Sequence, residues 1–180
     1  MALTVRAATV DDARAIAEVH VASWRWAYRG QVPDHILDSL STEEREAHWR
    51  QSLEDGTNGI AVAIDDVCAV VGFVETGRSA DDDADDQTGE VYAIYLLERV
   101  AGAGIGTALL RRGEDDLRSD GYRRSTLWVL ESNERAHRFY ERNGWASDGR
   151  RSTYRIGDAD LPTLRYARWL SGGLQPSTIM

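Results

Sequence analysis

The sequence contains no lysine, so all 21 of its basic residues are arginine. This absence excludes mechanisms that need a lysine amine, such as Schiff-base formation and the phosphate-binding lysine of a Walker loop. Cys68 is the one cysteine, which excludes an internal disulfide and a cysteine-rich zinc site. Because it lies in an apolar run typical of a core strand, we expect Cys68 to be a small buried hydrophobe.

Long apolar segments are absent as well. No run approaches the roughly 18 residues of a membrane-spanning helix, and residues 1–8 lack the features of a secretory signal. We therefore expect a soluble, cytoplasmic protein with no membrane partner. The net charge of −9 argues against a nucleic-acid partner, because phosphate binding needs clustered cations. Much of the acidity lies in residues 81–86, whose self-repulsion predicts a mobile, solvated loop.

Hydrophobic periodicity and capping patterns predict alternating strands and helices. The predicted strands are 3–8, 60–64, 67–75, 90–97, 125–130, 145–155 and 161–169, with a tight hairpin at Asp65 and Asp66. The predicted helices begin near Asp11 or Asp12, at Pro33, at Ser41 with Glu44 as a capping box, at Thr107 and at Asn133. The 180 residues suit one domain over 1–170, followed by a flexible tail over 171–180.

The segment 101–106, AGAGIG, joins a predicted strand to a predicted helix. The first N–H groups of a helix have no intrahelical partner, and the helix dipole favours an anion there. Glycine allows positive φ and keeps a β-carbon away from these amides, so a diphosphate would fit. A plain strand-to-helix connection has the same pattern. The dinucleotide fingerprint does not fit, because its last glycine falls on Thr107 or Leu109.

Two segments resemble the signatures of the GCN5-related N-acetyltransferase (GNAT) superfamily. Residues 90–110, EVYAIYLLERVAGAGIGTALL, are similar to its acyl-CoA-binding segment, and residues 133–145, NERAHRFYERNGW, are similar to its second signature. The opening, RAATVDDARAIAEVHVASWRWAYRG, also resembles bacterial members. The resemblance implies an α/β (α+β) fold with a mixed, mostly antiparallel central sheet of six to seven strands, splayed in the middle and flanked by helices.

The resemblance also implies acetyl-CoA as co-substrate and no metal. The first signature maps to Ala101, Gly104 and Gly106, with Ala101 in place of the usual Gln or Arg. A register starting at Arg99 also matches. The residues expected to bind the coenzyme, mostly through backbone groups, are Ile94, Leu96, Ala101, Gly102, Ala103, Gly104, Ile105, Gly106, Thr107 and Asn133. Further candidates, for its phosphates, are Arg111, Arg112 and Arg142.

For catalysis the resemblance implies that Tyr140 gives a proton to the departing thiolate and that Glu90 is the general base. Tyr92, or Glu75 acting through water, are alternative bases. The oxyanion is expected to meet a backbone N–H near Ile94 or Tyr95. The side chains expected to line the acceptor pocket are Ser23, Trp24, Trp26, Tyr28, Tyr92 and Trp128. The four histidines lack zinc-binding spacing, and each is expected to be structural or exposed.

The resulting prediction is an acetyl-CoA-dependent N-acetyltransferase that acts on a primary amine of a small molecule, amino acid or peptide. Direct attack on the thioester is expected, because the sequence offers no serine elbow or cysteine nucleophile site. Transfer to a hydroxyl group and a catalytically silent acyl-CoA-binding module are the alternatives. Members of the family are often dimers, which leaves a homodimer open.

Overall fold

The computed structural model describes residues 4–170, whose strands form one sheet. The strands are β1 (Thr4–Ala7), β2 (Gly59–Ile64), β3 (Val70–Arg78), β4 (Thr88–Leu96), β5 (Arg124–Leu130), β6 (Ala146–Ile156) and β7 (Ala159–Trp169). Their order is β1-β2-β3-β4-β5-β7-β6, and of these pairs β4 and β5 alone run parallel. The prediction of a mixed, mostly antiparallel sheet is confirmed. The tail predicted over residues 171–180 lies outside the described residues.

Helices cover both faces of the sheet. They are α1 (Ala13–Ala27), α2 (Asp34–Asp38), α3 (Thr42–Asp55), α4 (Ile105–Ser119) and α5 (Glu134–Arg142). Ile16 of α1 and Trp49 of α3 pack with Phe73 on one face, whereas Leu109 of α4 packs with Val74 on the other. Within residues 4–170, none of these helices is long and apolar enough to span a membrane.

Two predicted helix caps form as expected. The Ser41 hydroxyl accepts a hydrogen bond from the N–H of Glu44 at 3.2 Å, and α3 follows directly. The side chain of Asn133 accepts from the N–H of Ala136 at 3.1 Å and begins α5. Each cap satisfies an N–H group that the first helical turn leaves unpaired.

The sheet splays open between β4 and β5. Their pairing is limited to residues 88–90 of β4 and 124–126 of β5. Beyond Glu90 the two strands diverge, so the carboxyl half of β4 has β3 as its one partner among the described strands. This gap is the splay that the resemblance implied.

The prediction for Cys68 is wrong. The β2–β3 connection runs from Asp65 to Ala69 rather than through a two-residue turn, and Cys68 is exposed in it with φ of +63°. The carboxylate of Asp65 accepts from the N–H of Val67 at 3.2 Å and of Ala69 at 2.9 Å, which holds these residues in a turn. The apolar run therefore contributes to β3 only from Val70 onward.

The prediction of a solvated acidic loop is also wrong at Asp81. Arg165 of β7, which is 4% exposed, donates to Asp81 at 2.9 Å and to Asp83 at 2.6 and 2.8 Å. The indole N–H of Trp128 donates to the other oxygen of Asp81 at 3.0 Å. Local charge repulsion suggested a loose loop, but a buried cation from a distant strand ties these carboxylates to the sheet.

Candidate active site

Two cavities adjoin one another at the gap in the sheet. The larger cavity, of about 1100 Å³, lies between the carboxyl half of β4, the glycine turn and α5. The smaller cavity, of about 440 Å³, lies between α1, α3 and the strand faces of β3, β4 and β5. Tyr28 and Tyr95 line both cavities and therefore stand at their junction.

The glycine turn presents unpaired backbone amides to the larger cavity. A short 3₁₀ turn over Glu98–Val100 precedes it, and the first intrahelical bond of α4 runs from the N–H of Ala108 to the carbonyl oxygen of Gly104. In the described part of the chain, no backbone acceptor pairs with the N–H groups of residues 102 and 104–107. The N–H groups of Ala101 and Ala103 bond within the turn, so their amides cannot serve a ligand.

Positive φ makes this arrangement of amides possible. Gly102 has φ of +80° and Gly104, the N-cap of α4, has φ of +82°. A side chain disfavours this conformation, whereas glycine adopts it readily. Ala101, Gly104 and Gly106 all line the larger cavity, whereas the guanidinium of Arg99 lies 3.4 Å from Asp65. The geometry therefore favours the register that starts at Ala101.

Cations without a carboxylate partner flank the turn. Arg111 of α4 and Arg142 of α5 line the larger cavity, and neither has a salt bridge within residues 4–170. Arg112 differs, because its Nε lies 2.8 and 2.9 Å from the two carboxylate oxygens of Asp116. Two of the three predicted phosphate-binding arginines are thus placed to meet an anion.

The register of β3 and β4 turns the backbone of Ile94 and Leu96 toward the gap. In an antiparallel pair, every second residue directs its backbone N–H and C=O groups at the neighbouring strand. Leu97 does so, because its N–H donates to the carbonyl oxygen of Val71 of β3 at 2.9 Å. The backbone groups of Tyr95, two residues earlier, therefore also point toward β3. The intervening N–H and C=O groups of Ile94 and Leu96 point away from β3. An extended ligand in the gap could pair with the Ile94 groups and with the Leu96 N–H as an added strand does, whereas the Leu96 carbonyl oxygen already accepts from the Ser23 hydroxyl at 2.8 Å.

Tyr140 of α5 faces the larger cavity opposite β4. Its side chain is 7% exposed, and its ring packs 5.1 Å from Phe139 and 6.2 Å from Trp145. Burial, followed by the nearby Tyr95 phenol, raises the pKa of Tyr140, so the phenol keeps its proton at neutral pH. A phenol that keeps its proton is available as a hydrogen-bond or proton donor to a group bound in this cavity. Asn133 lines the same cavity.

A β-bulge sets the composition of the smaller cavity. Ala93 pairs with Glu75 and Val91 pairs with Thr76, which leaves Tyr92 as the extra residue of β4. Strict alternation would place Glu90 and Ala93 on opposite faces of the sheet. With the bulge, Glu90, Tyr92, Ala93 and Tyr95 all line the smaller cavity.

Glu90 is the best-placed base in the smaller cavity. One carboxylate oxygen accepts from the Ser79 hydroxyl and from the Ala80 N–H, each at 3.2 Å, and the other oxygen has no partner among the described residues. Glu90 is 7% exposed, and burial, with a smaller contribution from the charge of Asp81, raises its pKa. A carboxylate whose pKa is raised accepts a proton more readily near neutral pH.

The alternative bases lie in the same cavity but are engaged elsewhere. Glu75 accepts a hydrogen bond from the side-chain amide of Asn58 at 3.0 Å. The Tyr92 hydroxyl donates to the carbonyl oxygen of Arg78, and burial together with the charges of Glu90 and Glu75 raises its pKa to about 12. Tyr92 is therefore a poor base, whereas Glu75 keeps one carboxylate oxygen for a water molecule.

The structure distributes the predicted acceptor-pocket residues between the cavities. Trp24, Tyr28, Tyr92 and Trp128 line the smaller cavity. Trp26 and Ser23 line the larger one, where the guanidinium of Arg135 lies 3.9 Å from the Trp26 ring. The lining residues of the smaller cavity that the sequence analysis missed include His20, which it expected to be structural or exposed, and also Arg45, Asp81, Tyr95 and Tyr154. Tyr95 was assigned a backbone role only, and its side-chain position depends on the bulge. Nothing in the local sequence marks Arg45, Asp81 or Tyr154.

Comparison with known proteins gives a family match, a similar sequence and two similar solved structures. Residues 18–145 match the family model described as the acetyltransferase (GNAT) family. The protein named uncharacterized N-acetyltransferase YuaI of Bacillus subtilis (strain 168) is 41% identical over 134 residues, which are 73% of each chain. The solved structure of PaiA N-acetyltransferase from Thermoplasma acidophilum with coenzyme A is 21% identical, with a TM-score of 0.69 over 94% of this chain and 99% of that chain. The structure of yncA from Salmonella typhimurium with its cofactor acetyl-CoA is 19% identical, with a TM-score of 0.72 over 99% of both.

Proposed function

The chain belongs to the acetyltransferase (GNAT) family, and on that premise we propose that it transfers the acetyl group of acetyl-CoA to a primary amine bound in the smaller cavity. The observation that carries the proposal is the junction of the two cavities at Tyr28 and Tyr95. One side of that junction has unpaired amides and cations, and the other side has a buried carboxylate.

The residues of the larger cavity fit coenzyme A. The free amides at 102 and 104–107, at the amino end of a helix of 15 residues, suit a diphosphate, and Arg111 and Arg142 add positive charge. A β-carbon on Gly106 would lie 3.3 Å from the side chains of both Leu96 and Phe139, so a side chain there would fit only if these neighbours shifted. The backbone of Ile94 and Leu96 and the side chain of Asn133 would hold the pantetheine amides.

Acetyl-CoA supplies a thioester whose acyl carbon accepts a neutral amine and whose thiol then leaves. Two side chains of this protein accept and donate the protons of the reaction. Glu90 takes a proton from the incoming ammonium or amine, directly or through water, and the Tyr140 phenol gives one to the departing sulfur. The Ile94 N–H faces the gap and is the donor best placed for the developing negative charge on oxygen.

Acidic side chains make an amine the better acceptor. Glu75 and Glu90 line the smaller cavity and attract a cationic group, whereas the charge of Asp81 beside them is paired with Arg165. A hydroxyl acceptor gains nothing from this attraction. One arrangement argues against a catalytically silent binding module. Glu90, the proposed base, and Tyr140, the proposed proton donor, line opposite sides of the junction, and coenzyme binding alone does not need both groups. A homodimer and a cytoplasmic location stay predictions.

The proposal is tested by mixing the protein with acetyl-CoA and a panel of amines and alcohols and following thiol release. Mass spectrometry of the products identifies the acetylated atom. We expect turnover with at least one amine and an N-acetyl product. Tight coenzyme binding with no turnover on any acceptor would support the silent module, and an O-acetyl product would support the hydroxyl alternative.

A further inference from the structure

Buried N–H groups without partners lie at one end of the smaller cavity. His20 and Trp24 are one helical turn apart on α1, their rings are 5.7 Å apart, and they are 7% and 6% exposed. Within residues 4–170, neither His20 Nε2 nor Trp24 Nε1 has a hydrogen-bond partner of normal geometry, although the Trp24 indole lies beside the Tyr95 phenol, with ring centroids 6.3 Å apart, and favours its ionisation. Both His20 and Trp24 line the cavity. Because an unpaired buried donor is costly, the N–H of His20 in particular indicates a missing acceptor.

His20 is a hydrogen-bond donor at this wall. Its Nδ1 accepts from the indole N–H of Trp49 at 3.2 Å, and an indole nitrogen can only donate. Burial, followed by the charge of Arg45, lowers the pKa of His20 to about 3, so the ring is neutral. A neutral imidazole whose Nδ1 accepts carries its proton on Nε2. His20 therefore offers an N–H, and so does Trp24 beside it.

Arg45 of α3 adds a cation at the same end. It lines the smaller cavity and is half-buried, yet among residues 4–170 its guanidinium has neither a salt bridge nor a side-chain hydrogen bond. It shares the lining of this cavity with His20 and Tyr95, and its charge helps to lower the pKa of His20. Arg50, on the same helix, is paired instead with Glu46 at 3.0 Å.

The smaller cavity is thus bipolar. Arg45 and the N–H groups of His20 and Trp24 form its donor end, whereas Glu75 and Glu90, each with one carboxylate oxygen free among the described residues, form its acidic end. Resting on the function proposed above, we propose that the acceptor is a small amine that also carries a carboxylate, as an amino acid does. The donor end binds the carboxylate, and the acidic end receives the amino group.

A carboxylate fits the donor end better than other anions. The guanidinium fork matches two carboxylate oxygens, which can also accept from N–H groups. A phosphate dianion would suffer stronger repulsion from the acidic end. The volume of about 440 Å³ lies at the small end of ligand cavities and suits a free amino acid rather than a chain segment. A polyamine has no group that could accept from the donor end.

The test compares amino acids with the amines that lack only the carboxylate. The pairs are phenylalanine and phenethylamine, methionine and 3-(methylthio)propylamine, arginine and agmatine, and lysine and 1,5-diaminopentane. Binding to the full chain with coenzyme A present is measured by calorimetry, and turnover with acetyl-CoA is measured by thiol release. In at least one pair we expect the amino acid to bind about tenfold or more tightly than its amine, the scale of one charge-assisted hydrogen bond.

Variants on α3 test the assignment of the donor end. Arg45→Gln should remove most of the preference for the amino acid while changing the binding of the matched amine less than twofold. Arg50→Gln is the control, because it removes the same charge from the same helix. Arg50 does not line the cavity, and its side chain pairs with Glu46. We expect Arg50→Gln to keep the preference of the wild-type protein.

The outcomes separate this inference from the proposed function. Equal or tighter binding of every amine, an equal loss of both ligands in Arg45→Gln, or no binding of any amino acid would overturn the inference. Turnover of amines without a preference would do so while leaving the acetyltransferase proposal intact. A preference in binding that Arg45→Gln abolishes, without turnover, would support the donor end and refute the proposed catalysis on these acceptors.

Discussion

The hydroxyl of Ser23 donates a hydrogen bond to the backbone carbonyl oxygen of Leu96 at 2.8 Å. This bond ties α1 to the carboxyl end of β4, next to the gap where the thioester is proposed to lie. Since His20 and Trp24 project from the same helix and Tyr28 is its C-cap residue, the bond also sets the position of the smaller cavity's wall relative to β4. The two halves of the site are thereby held as one unit.

Tyr140→Phe tests the proton donor. Removing the hydroxyl while keeping the ring preserves the packing against Phe139 and Trp145. We expect kcat to fall by roughly ten- to a thousandfold, the range of lost acid catalysis, with the Kd for coenzyme A within about twofold. Stopped-flow thiol release and calorimetry measure the two quantities.

Tyr166→Phe is the matched control for Tyr140→Phe. The Tyr166 hydroxyl bonds His137 at 3.0 Å and Glu141 at 3.1 Å, and its ring lies 6.1 Å from Tyr140 without lining either cavity. It should lose about 1 kcal/mol of stability and keep its rate. If Tyr140→Phe kept the wild-type kcat, Tyr140 would have no part in proton transfer.

Glu90→Gln tests the base through the pH profile. The carboxylate must be unprotonated to accept a proton, so in the wild-type protein kcat/KM should fall as pH drops through the raised pKa of Glu90. In Glu90→Gln that acidic limb should disappear, and the plateau should be lower by about 10²- to 10⁴-fold. A limb that persists at the same pH would assign the titration to another group, with Glu75 as the next candidate.

Stability gives an independent check on Glu90. A carboxyl whose pKa is raised on folding favours the folded state below its unfolded pKa of about 4.3, and this contribution is lost as pH rises through the folded pKa. At neutral pH the buried charge of Glu90 therefore destabilises the folded state, and Glu90→Gln should not lower Tm at that pH. A clear loss of Tm at pH 7 would indicate that the variant's lower activity comes from misfolding.

Features determined by neighbouring residues could be predicted from the sequence. The glycine turn, the Asn133 cap and the position of Tyr140 depend on a few adjacent residues and on a resemblance carried by contiguous segments. These short-range features place the glycine turn and the α5 wall of the larger cavity, whereas Ser23 and Trp26 reach it from α1 through tertiary packing.

The smaller cavity could not be predicted in the same way. Arg45 comes from α3, Asp81 from the acidic loop and Tyr154 from β6, so their meeting depends on tertiary packing. The bulge at Tyr92 is equally invisible, because one extra residue changes which side chains share a face without altering the apolar pattern. The apolar pattern around Cys68 likewise predicted a strand, because it does not reveal the turn that hydrogen bonds to the Asp65 carboxylate form there.

Gly104→Ala tests the glycine turn. The φ of +82° disfavours a side chain and costs about 1–2 kcal/mol, although a β-carbon there meets no atom within 4 Å. Relief of that strain should reorient the first amides of α4 and weaken coenzyme A binding about tenfold or more. Gly149→Ala is the control, because Gly149 has φ of +83°, equally open surroundings and a position in β6 outside both cavities. Equal coenzyme affinity in the two variants would count against the turn as the phosphate site.

Arg165→Met tests whether the acidic loop shapes the smaller cavity. Arg165 lies 2.9 Å from Asp81, 2.6 Å from Asp83 and 2.7 Å from Asp148, so its loss removes the buried cation that these carboxylates share and leaves Asp81 without a salt bridge among the described residues. We expect a loss of about 3–5 kcal/mol in the free energy of unfolding, as for a broken buried pair. Freed from this anchor, Asp81 should no longer hold the Trp128 indole, so KM for the acceptor should rise more than KM for acetyl-CoA.

The pH dependence of stability distinguishes this role from simple packing. The hydrogen bond from Arg165 lowers the pKa of Asp83 to about 2, so its stabilising contribution is present above an unfolded pKa of about 3.9 and is lost as pH falls toward 2. Denaturant titrations between pH 7 and pH 2 should show a shallower acid loss in Arg165→Met than in the wild-type protein. Arg150→Met, which removes an exposed partner of Asp83, should cost about 1 kcal/mol or less. An acid profile of Arg165→Met that matches the wild-type protein would show that the loop carboxylates do not depend on this arginine.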